Sequence, residues 1–125
     1  MKIKRKGIYL ADLGKNEKTS VESGVRPVLV LQNNKGNKYS PTVIIAPITS
    51  KLKKWWIPTH VILNNPSLPQ KSLIMLEQIQ TIEKKKLIEY KGCVSYEEME
   101  KIERASKISL GLTGGQYGRT EYKAG

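Results

Sequence analysis

The chain reads VRPVLVLQ from Val25 to Gln32 and TVIIAPI from Thr42 to Ile48, two runs dense in β-branched residues. Such runs, bounded by turn residues, predict β-strands. Asn33 to Lys38, between them, is rich in residues that tolerate positive φ, which favours a tight reversal. The two runs are therefore predicted to be paired, antiparallel central strands. Pro27 and Pro47 predict bulges or strand margins, because proline has no N–H to give to a ladder.

Further strands are predicted on both sides of this central pair. Ile3 to Leu13 favours a first strand at a sheet margin, where its opening charges would protect an exposed edge. A polar loop, Gly14 to Gly24, separates it from the central pair. Thr59 to Leu63 and Ser72 to Leu76 predict two short strands joined by a loop with two prolines, and Leu87 to Val94 predicts a sixth strand.

One helix is predicted in the C-terminal part of the chain. Ser95 and Glu98 are spaced as a capping box, and a helix is expected to follow to about Leu110. Its buried face is predicted to comprise Met99, Ile102, Ser106 and Ser109, flanked by Ala105, Ile108 and Leu112. The whole pattern predicts an α+β, mostly β fold, a compact barrel of antiparallel strands with a C-terminal helix. Residues 1–112 should form the single domain, and the glycine-rich residues 113–125 a mobile tail.

The charge of the chain is strongly positive. Its 125 residues include 22 Lys and Arg against 11 Asp and Glu, a formal net charge of +11. This surplus favours a polyanionic partner. Charge alone does not separate RNA from DNA, from an anionic membrane surface or from an acidic protein, and a basic surface can also simply aid solubility.

Other features restrict the class of protein. Apolar residues make up 38% of the chain, and no stretch approaches the roughly 20 uncharged residues of a membrane span. Alternating charged and apolar residues follow the basic N-terminus where a secretory signal would place an apolar block, so we expect a cytoplasmic protein with no membrane partner. Cys93 is the only cysteine and His60 the only histidine, so one chain cannot build a disulfide or a Cys/His zinc site. No metal or cofactor is expected.

Five segments, taken in order, carry a resemblance to a known family. They read GVRPVLVLQN at 24–33, NKYSPT at 37–42, APITS at 46–50, PTHV at 58–61 and LEQIQTI at 76–82. This set resembles the motifs of the MazF/PemK toxins of type II toxin-antitoxin systems, over roughly residues 3–112. The resemblance implies an SH3-like small β-barrel of the CcdB/PemK-like toxin fold, and a homodimer.

The same resemblance implies an activity and a partner. Toxins of this kind are metal-independent endoribonucleases that cut single-stranded RNA, messenger RNA in particular, at specific sequences. They leave a 2′,3′-cyclic phosphate and a 5′-OH, and growth arrest follows. An acidic, MazE-like antitoxin would neutralise the toxin by docking over its RNA groove.

Two residues are implied as catalytic. In the family, an arginine of the Val-Arg-Pro motif and a threonine of the Ile-Thr-Ser motif carry the chemistry, and they match Arg26 and Thr49. Attack of a ribose 2′-OH on the adjacent phosphate builds negative charge, which a guanidinium and a hydroxyl can stabilise. Arginine stays protonated, so Arg26 is assigned to charge stabilisation and phosphate positioning. The general base stays open, with Glu22 and Glu77 as candidates for that role or for nucleobase recognition.

Other residues are candidates for binding RNA. By analogy with the family's RNA groove, hydrogen-bonding groups are expected at Ser20, Ser50 and Gln78. Trp55 and Trp56 follow two lysines, a composition suited to stacking on unpaired bases; alternatively, one of them packs on the core or on a dimer interface. The sequence departs from the family's pattern at Arg5-Lys6-Gly7 in place of Arg-Gly-Asp, at Gln80 in place of an arginine, and at Val21 where a glutamate is frequent.

Each candidate also has a structural alternative. Arg26 could simply pair with a carboxylate, and Thr49 is ordinary at the end of a strand. His60 lies in a strand-like segment, where a lone histidine is more often structural. Lys84 to Lys86 favours a solvated turn, and Cys93 a small buried apolar residue.

Two other functions stay open on the sequence. A gyrase inhibitor of the CcdB type shares the fold, although the C-terminus here, Tyr122-Lys123-Ala124-Gly125, lacks that toxin's Trp-Gly-Ile ending. A barrel that binds RNA without cutting it would need only the basic surface and the paired tryptophans.

Overall fold

The computed structural model describes residues 1–15 and 22–112. It contains seven strands and two helices in these residues: β1 (Gly7–Asp12), β2 (Val25–Val30), α1 (Asn34–Tyr39), β3 (Thr42–Thr49), β4 (His60–Leu63), β5 (Ser72–Met75), β6 (Gln80–Glu83), β7 (Leu87–Cys93) and α2 (Tyr96–Leu110). Short 3-10 helices, Leu76–Gln78 and Lys84–Lys86, flank β6. The predicted tail at 113–125 and most of the predicted polar loop lie outside the described residues. No helix of the described part is long and apolar enough to cross a membrane.

All strand pairs are antiparallel, in the order β4-β5-β3-β2-β1-β7, with β6 also paired to β3. The predicted central strands are confirmed, since β3 pairs with β2, β5 and β6. The mostly β, antiparallel fold with a C-terminal helix is confirmed as well. The hydrogen-bonded path ends at β4 and β7, so within the described residues the sheet curls around its core without closing into a full barrel.

Two local predictions are wrong. β1 lies between β2 and β7 and not at a margin, because its apolar residues Ile8 and Tyr9 are fully buried on opposite faces of the sheet. The segment after β2 forms the short helix α1 in place of a tight turn. Asn33 caps this helix by accepting a hydrogen bond from the Gly36 N–H at 2.8 Å, and the buried Asn37 side chain donates to the Gln32 carbonyl at 2.9 Å.

Alternate side chains of the strands fill two separate cores. One lies between the sheet and α2 and includes Ile8, Leu29, Ala46, Ile48, Leu63, Ile74, Leu76, Met99 and Ile102. The other lies on the opposite face and includes Tyr9, Ala11, Val28, Val30, Val43, Ile45 and Leu87. The central strands pack against a core on each face, and this packing fixes the positions of their ends.

The helix α2 has the predicted start and most of the predicted buried face. The Ser95 hydroxyl accepts from the Glu98 N–H at 3.0 Å and the Glu98 carboxylate accepts from the Ser95 N–H at 2.9 Å, which is a capping box. The buried residues are Met99, Ile102, Ala105 and Ile108. Ser106 and Ser109 are only half-buried and Leu112 is exposed, so the apolar stripe is centred closer to Ala105 than predicted.

Candidate active site

The predicted catalytic pair lies at one end of the two central strands, where β2 begins and β3 ends. The register between these strands pairs Val28 with Pro47. Arg26 lies two residues before Val28 on β2, and Thr49 lies two residues after Pro47 on β3, so both residues are at the same end of this strand pair. β6 is antiparallel to β3 and begins at Gln80, opposite Ile45, so the first residue of β6 is its nearest to the Thr49 end of β3. The antiparallel pairing therefore brings together two residues that are far apart in sequence.

The guanidinium of Arg26 is held by two acceptors from the preceding loop. Its Nε donates to the Ser23 carbonyl at 2.8 Å, and its Nη1 lies 3.1 Å from Oε2 of Glu22. Both side chains of this ion pair remain about a quarter exposed. Arg26 thus pairs with a carboxylate, which was the structural alternative to a catalytic role. Because the pair is partly exposed, a phosphate could compete with Glu22 for the guanidinium.

Thr49 is nearly buried at the end of β3, with 8% of its surface exposed. Its hydroxyl oxygen accepts a hydrogen bond from the Lys51 N–H at 3.2 Å. A hydroxyl that accepts one bond can still donate its own hydrogen to another group. Ser50, the next residue, is exposed, and Ser20 lies outside the described residues.

A hydrogen bond joins the arginine loop to the segment between β5 and β6. The Glu22 N–H donates to Oε1 of Gln78 at 2.8 Å. The Gln78 amide also donates to the Met75 sulfur at 3.6 Å. Glu22 is therefore fixed both by its backbone to Gln78 and by its side chain to Arg26, so three of the predicted site residues form one connected group.

Glu77, next to Gln78, binds a second group of side chains. Its Oε2 lies 2.8 Å from Nε2 of His60, and its Oε1 accepts from the Thr59 hydroxyl at 3.4 Å. The other ring nitrogen of His60, Nδ1, lies 2.8 Å from the Lys54 carbonyl oxygen. Both ring nitrogens thus face an oxygen atom, and these two contacts fix the orientation of the imidazole ring.

His60 connects Glu77 to the loop between β3 and β4, residues 50–59, which we call the tryptophan loop. The side chain of His60 is only 6% exposed, while Trp55 and Trp56 are 54% and 65% exposed. Their rings meet edge to face with centroids 6.0 Å apart. In the single chain neither indole packs into a core, so each has exposed surface that could contact a base or another protein.

A cavity of about 420 Å³ lies between this loop and α2. Trp55, His60 and the α2 residues Lys101 and Arg104 are among the residues that line it. Cations beside an exposed aromatic ring suit an anionic ligand with a flat, stackable part. The cavity extends the row of site residues from the strand ends toward the helix.

His60 and Thr59 contact Glu77, although the motifs did not predict a role for either residue. Two other predictions, for Cys93 and for the lysine run, are wrong. The only signal for His60 was its place in the PTHV segment, since its contacts with Glu77 and Lys54 come from distant parts of the chain. Cys93 is exposed, not buried, because it ends β7 at the start of the turn to α2. Lys84 is half-buried and its ammonium donates to the Asn37 carbonyl, so this part of the lysine run is not merely solvated.

The assembled site is suited to chemistry on a phosphate. It offers a guanidinium that carries permanent positive charge, a hydroxyl that can donate, a carboxylate beside the guanidinium, and exposed indoles at the end of the row. In residues 1–15 and 22–112, no three His, Cys, Asp or Glu side chains are grouped as metal ligands would be.

Comparison with known proteins identifies a family model that matches most of the chain. The family is described as PemK-like, MazF-like toxin of type II toxin-antitoxin system, and the match covers residues 4–110. That range contains every strand and both helices of the described fold.

Solved structures similar to this chain agree with that match. One is an endoribonuclease in complex with its cognate antitoxin from a mycobacterial species, with 30% identity and a TM-score of 0.69, covering 89% of this chain and 95% of that one. Another is an endoribonuclease from a mycobacterial species, with 28% identity and a TM-score of 0.73, covering 90% and 95%. MazF from Deinococcus radiodurans, with 16% identity, a TM-score of 0.77 and coverage of 89% and 98%, supports the fold alone.

Proposed function

This chain belongs to the PemK-like, MazF-like toxin family of type II toxin-antitoxin systems, and from that premise we propose that it is a sequence-specific endoribonuclease. Its substrate is single-stranded RNA, in particular cytoplasmic messenger RNA, and it uses no metal ion. The observation that carries the proposal is that Arg26 and Thr49 lie at the same end of the paired strands β2 and β3, with Glu22 bound to both Arg26 and Gln78.

The proposed reaction is an internal transfer within the RNA. The ribose 2′-OH gives its proton to a base and its oxygen attacks the adjacent phosphorus. The bond from phosphorus to the 5′ oxygen breaks, and the 5′ oxygen takes a proton from water, so that a 2′,3′-cyclic phosphate and a 5′-OH result. Arg26 stabilises the charge that develops on the phosphate oxygens, and Thr49 donates a hydrogen bond to the same group. Fixed donors of this kind need no reorganisation as the charge develops, which is why they lower the barrier.

Glu22 is the better placed of the two candidates for the general base. Its carboxylate lies beside the Arg26 guanidinium, so it would stand next to a phosphate held there, and it can accept the 2′-OH proton. The Glu77 carboxylate instead contacts His60 and Thr59. We assign Glu77, Gln78, Ser20 and Ser50 to contacts with bases or backbone, and Trp55 and Trp56 to stacking.

Two partners belong to the proposal. An acidic antitoxin would occupy the basic RNA groove and block the substrate, and one similar structure is an endoribonuclease in complex with its cognate antitoxin. A second copy of the chain would form a homodimer in which two such sites share one RNA groove.

The test is cleavage of a long single-stranded RNA in the presence of EDTA, with the cut ends mapped. We expect discrete cuts that end in a cyclic phosphate. Arg26→Ala and Thr49→Val should each slow cleavage, by about 10²-fold or more, because each removes one stabilising donor. Thr49→Val keeps the shape of the side chain, and Lys107→Ala is the control that removes an exposed cation from α2 at no cost to cleavage.

Other outcomes would point to the rival functions. Intact RNA across many sequences, with RNA binding retained, would make the chain a passive RNA-binding protein. Intact RNA without binding, together with inhibition of DNA supercoiling by gyrase, would make it a toxin of the CcdB type. Cleavage that disappears with EDTA would contradict the metal-independent mechanism.

A further inference from the structure

A second basic feature lies away from the site and is not used by the proposed reaction. It is a hollow of about 740 Å³, lined by Met1, Lys2, Ile3, Lys4, Arg5, Asn34, Asn37, Lys38 and Lys84. We name it the N-terminal basic hollow. It brings together the N-terminal segment, α1 and the 3-10 helix that follows β6.

The hollow and the candidate active site lie at opposite ends of the longest strand. α1 directly precedes β3, and the Lys84 N–H donates to the Pro41 carbonyl at 3.0 Å, so the hollow is at the start of β3. Thr49 is at the end of β3. Seven residue steps at about 3.3 Å each separate Thr42 from Thr49 by roughly 23 Å along the strand. A ligand in one place therefore does not occupy the other.

The charges around the hollow are not balanced locally. Five cationic side chains line it, and no Asp or Glu of residues 1–15 and 22–112 is among its lining residues. Arg5 has an ion pair with Glu103 at 3.0 Å. For Lys2, Lys4 and Lys38 no carboxylate lies within ion-pair distance in the part of the chain that the structure describes. Three ammonium groups are thus free to meet an anion.

The backbone that carries these cations is fixed by buried groups. The Tyr9 ring is fully buried, and its hydroxyl accepts from the Lys4 N–H at 3.0 Å and donates to the Lys2 carbonyl at 3.1 Å. The Arg5 N–H donates to the side chain of Asn34 in α1 at 2.8 Å. A Cβ on Gly7 would lie 2.6 Å from the Tyr9 ring, so glycine is what permits this close approach. The cations are therefore presented on an ordered segment.

The residue that follows Lys38 favours a nucleic acid strand over an acidic peptide as the ligand. Tyr39, at the end of α1, is 71% exposed, and the Lys38 ammonium lies 5.2 Å from the centre of its ring. Ammonium groups that track phosphates beside an exposed aromatic ring are the combination found in single-strand binding surfaces. An acidic peptide would use the cations but would gain less from the ring.

We propose that the N-terminal basic hollow is a second phosphate-binding site, which holds the RNA backbone beyond the segment bound at Arg26 and Thr49. The inference rests on the proposed function in that the ligand is RNA. A long single strand would contact both the cleavage site and the N-terminal basic hollow, at the two ends of β3. A short strand that fills only the cleavage site would not reach the hollow.

The test compares salt dependence of binding for a short and a long strand. Both are fully 2′-O-methylated, so neither can be cut: a hexanucleotide, and a strand several times as long. For the double variant Lys4→Gln, Lys38→Gln, the slope of log Kd against log salt on the long strand should fall by about 1.4, at about 0.7 per lost phosphate contact. Raising salt from 50 to 200 mM weakens binding of the long strand to both proteins. The fold-loss of affinity should be about sevenfold smaller for the double variant than for the wild type. The hexanucleotide should bind both proteins alike.

Lys91→Gln, Lys107→Gln is the matched control, because it removes the same charge from β7 and α2. Equal slopes for the wild type and the Lys4, Lys38 variant on the long strand would overturn the proposal, as would an equal change in the control pair. A polyglutamate peptide that loses affinity for the Lys4, Lys38 variant, while the long RNA does not, would make the hollow a protein-docking site and also overturn it. Because the strands cannot be cut, failure here is distinct from failure of the cleavage assay.

Discussion

At the residue scale, the site depends on polar side chains whose partners come from distant parts of the chain. Arg26 is anchored by Ser23 and Glu22, close in sequence, but Glu22 is anchored by Gln78. His60 contacts Glu77 on one side and the Lys54 carbonyl on the other. Each link restrains the group that it binds, so the position of the Arg26 guanidinium depends on residues that do not contact it directly.

His60→Leu tests one of these links. The change removes two hydrogen bonds from a nearly buried ring and should lower the free energy of unfolding by about 1–3 kcal/mol, as measured by urea denaturation. It should also release the tryptophan loop from Glu77, because Lys54 precedes Trp55 directly. Quenching of tryptophan fluorescence by a 2′-O-methylated RNA should then be weaker, even at saturating RNA. Ser106→Ala, which removes a hydrogen bond to Ile102 within α2, is the control; unchanged quenching in the His60 variant would contradict this role.

At the element scale, the start of α2 is coupled to the loop between β4 and β5. Oε1 of Glu98 accepts from the Ser95 N–H and also from the side-chain amide of Asn65, at 2.9 Å each. Asn65 is nearly buried and also donates to the Cys93 carbonyl at 3.1 Å. The capping box is therefore at once a helix start and a tertiary contact that seats α2 on the sheet.

This coupling predicts an order of stabilities for two variants. Ser95→Ala should lower the free energy of unfolding by about 1 kcal/mol, since it removes the cap alone. Glu98→Ala should lower the free energy of unfolding by more, about 2 kcal/mol in total, because this change also removes a partner of the buried Asn65 amide. Ser95→Asp should restore stability, because aspartate caps helices as well as serine does. Thermal and urea unfolding measure the order; an equal loss in Ser95→Ala and Glu98→Ala would mean that the Asn65 contact adds nothing.

At the scale of the whole molecule, the +11 charge predicts how the proposed antitoxin would act. An acidic segment should compete with RNA for the same groove, so a polyglutamate peptide should raise KM for RNA cleavage and leave kcat unchanged. The inhibition should weaken as salt rises, because the attraction is screened within about 10 Å at 0.1 M salt. A polyglutamine peptide of equal length is the control. Equal inhibition by both peptides would exclude charge as the cause.

The sequence by itself determined the features that depend on local pattern. The β-branched runs at 25–32 and 42–48 gave the central strands, and Ser95 with Glu98 gave the helix start, because strand propensity and capping act over a few neighbouring residues. The ordered motifs gave the family, and the match to residues 4–110 confirms it. The assignment of Arg26 and Thr49 to catalysis came from the same motifs and stays a prediction.

The tertiary structure decided what depends on long-range pairing. It put β1 between two strands, because this strand is buried on both faces. It added β6, which pairs with β3. It made 34–39 a helix, which the Asn33 cap and the buried Asn37 side chain stabilise. It also joined His60 to Glu77 and Glu22 to Gln78, pairs separated by 17 and 56 residues. The N-terminal basic hollow likewise combines lysines from three separate segments. Such contacts follow from how strands and loops meet in space, which no short window of sequence contains.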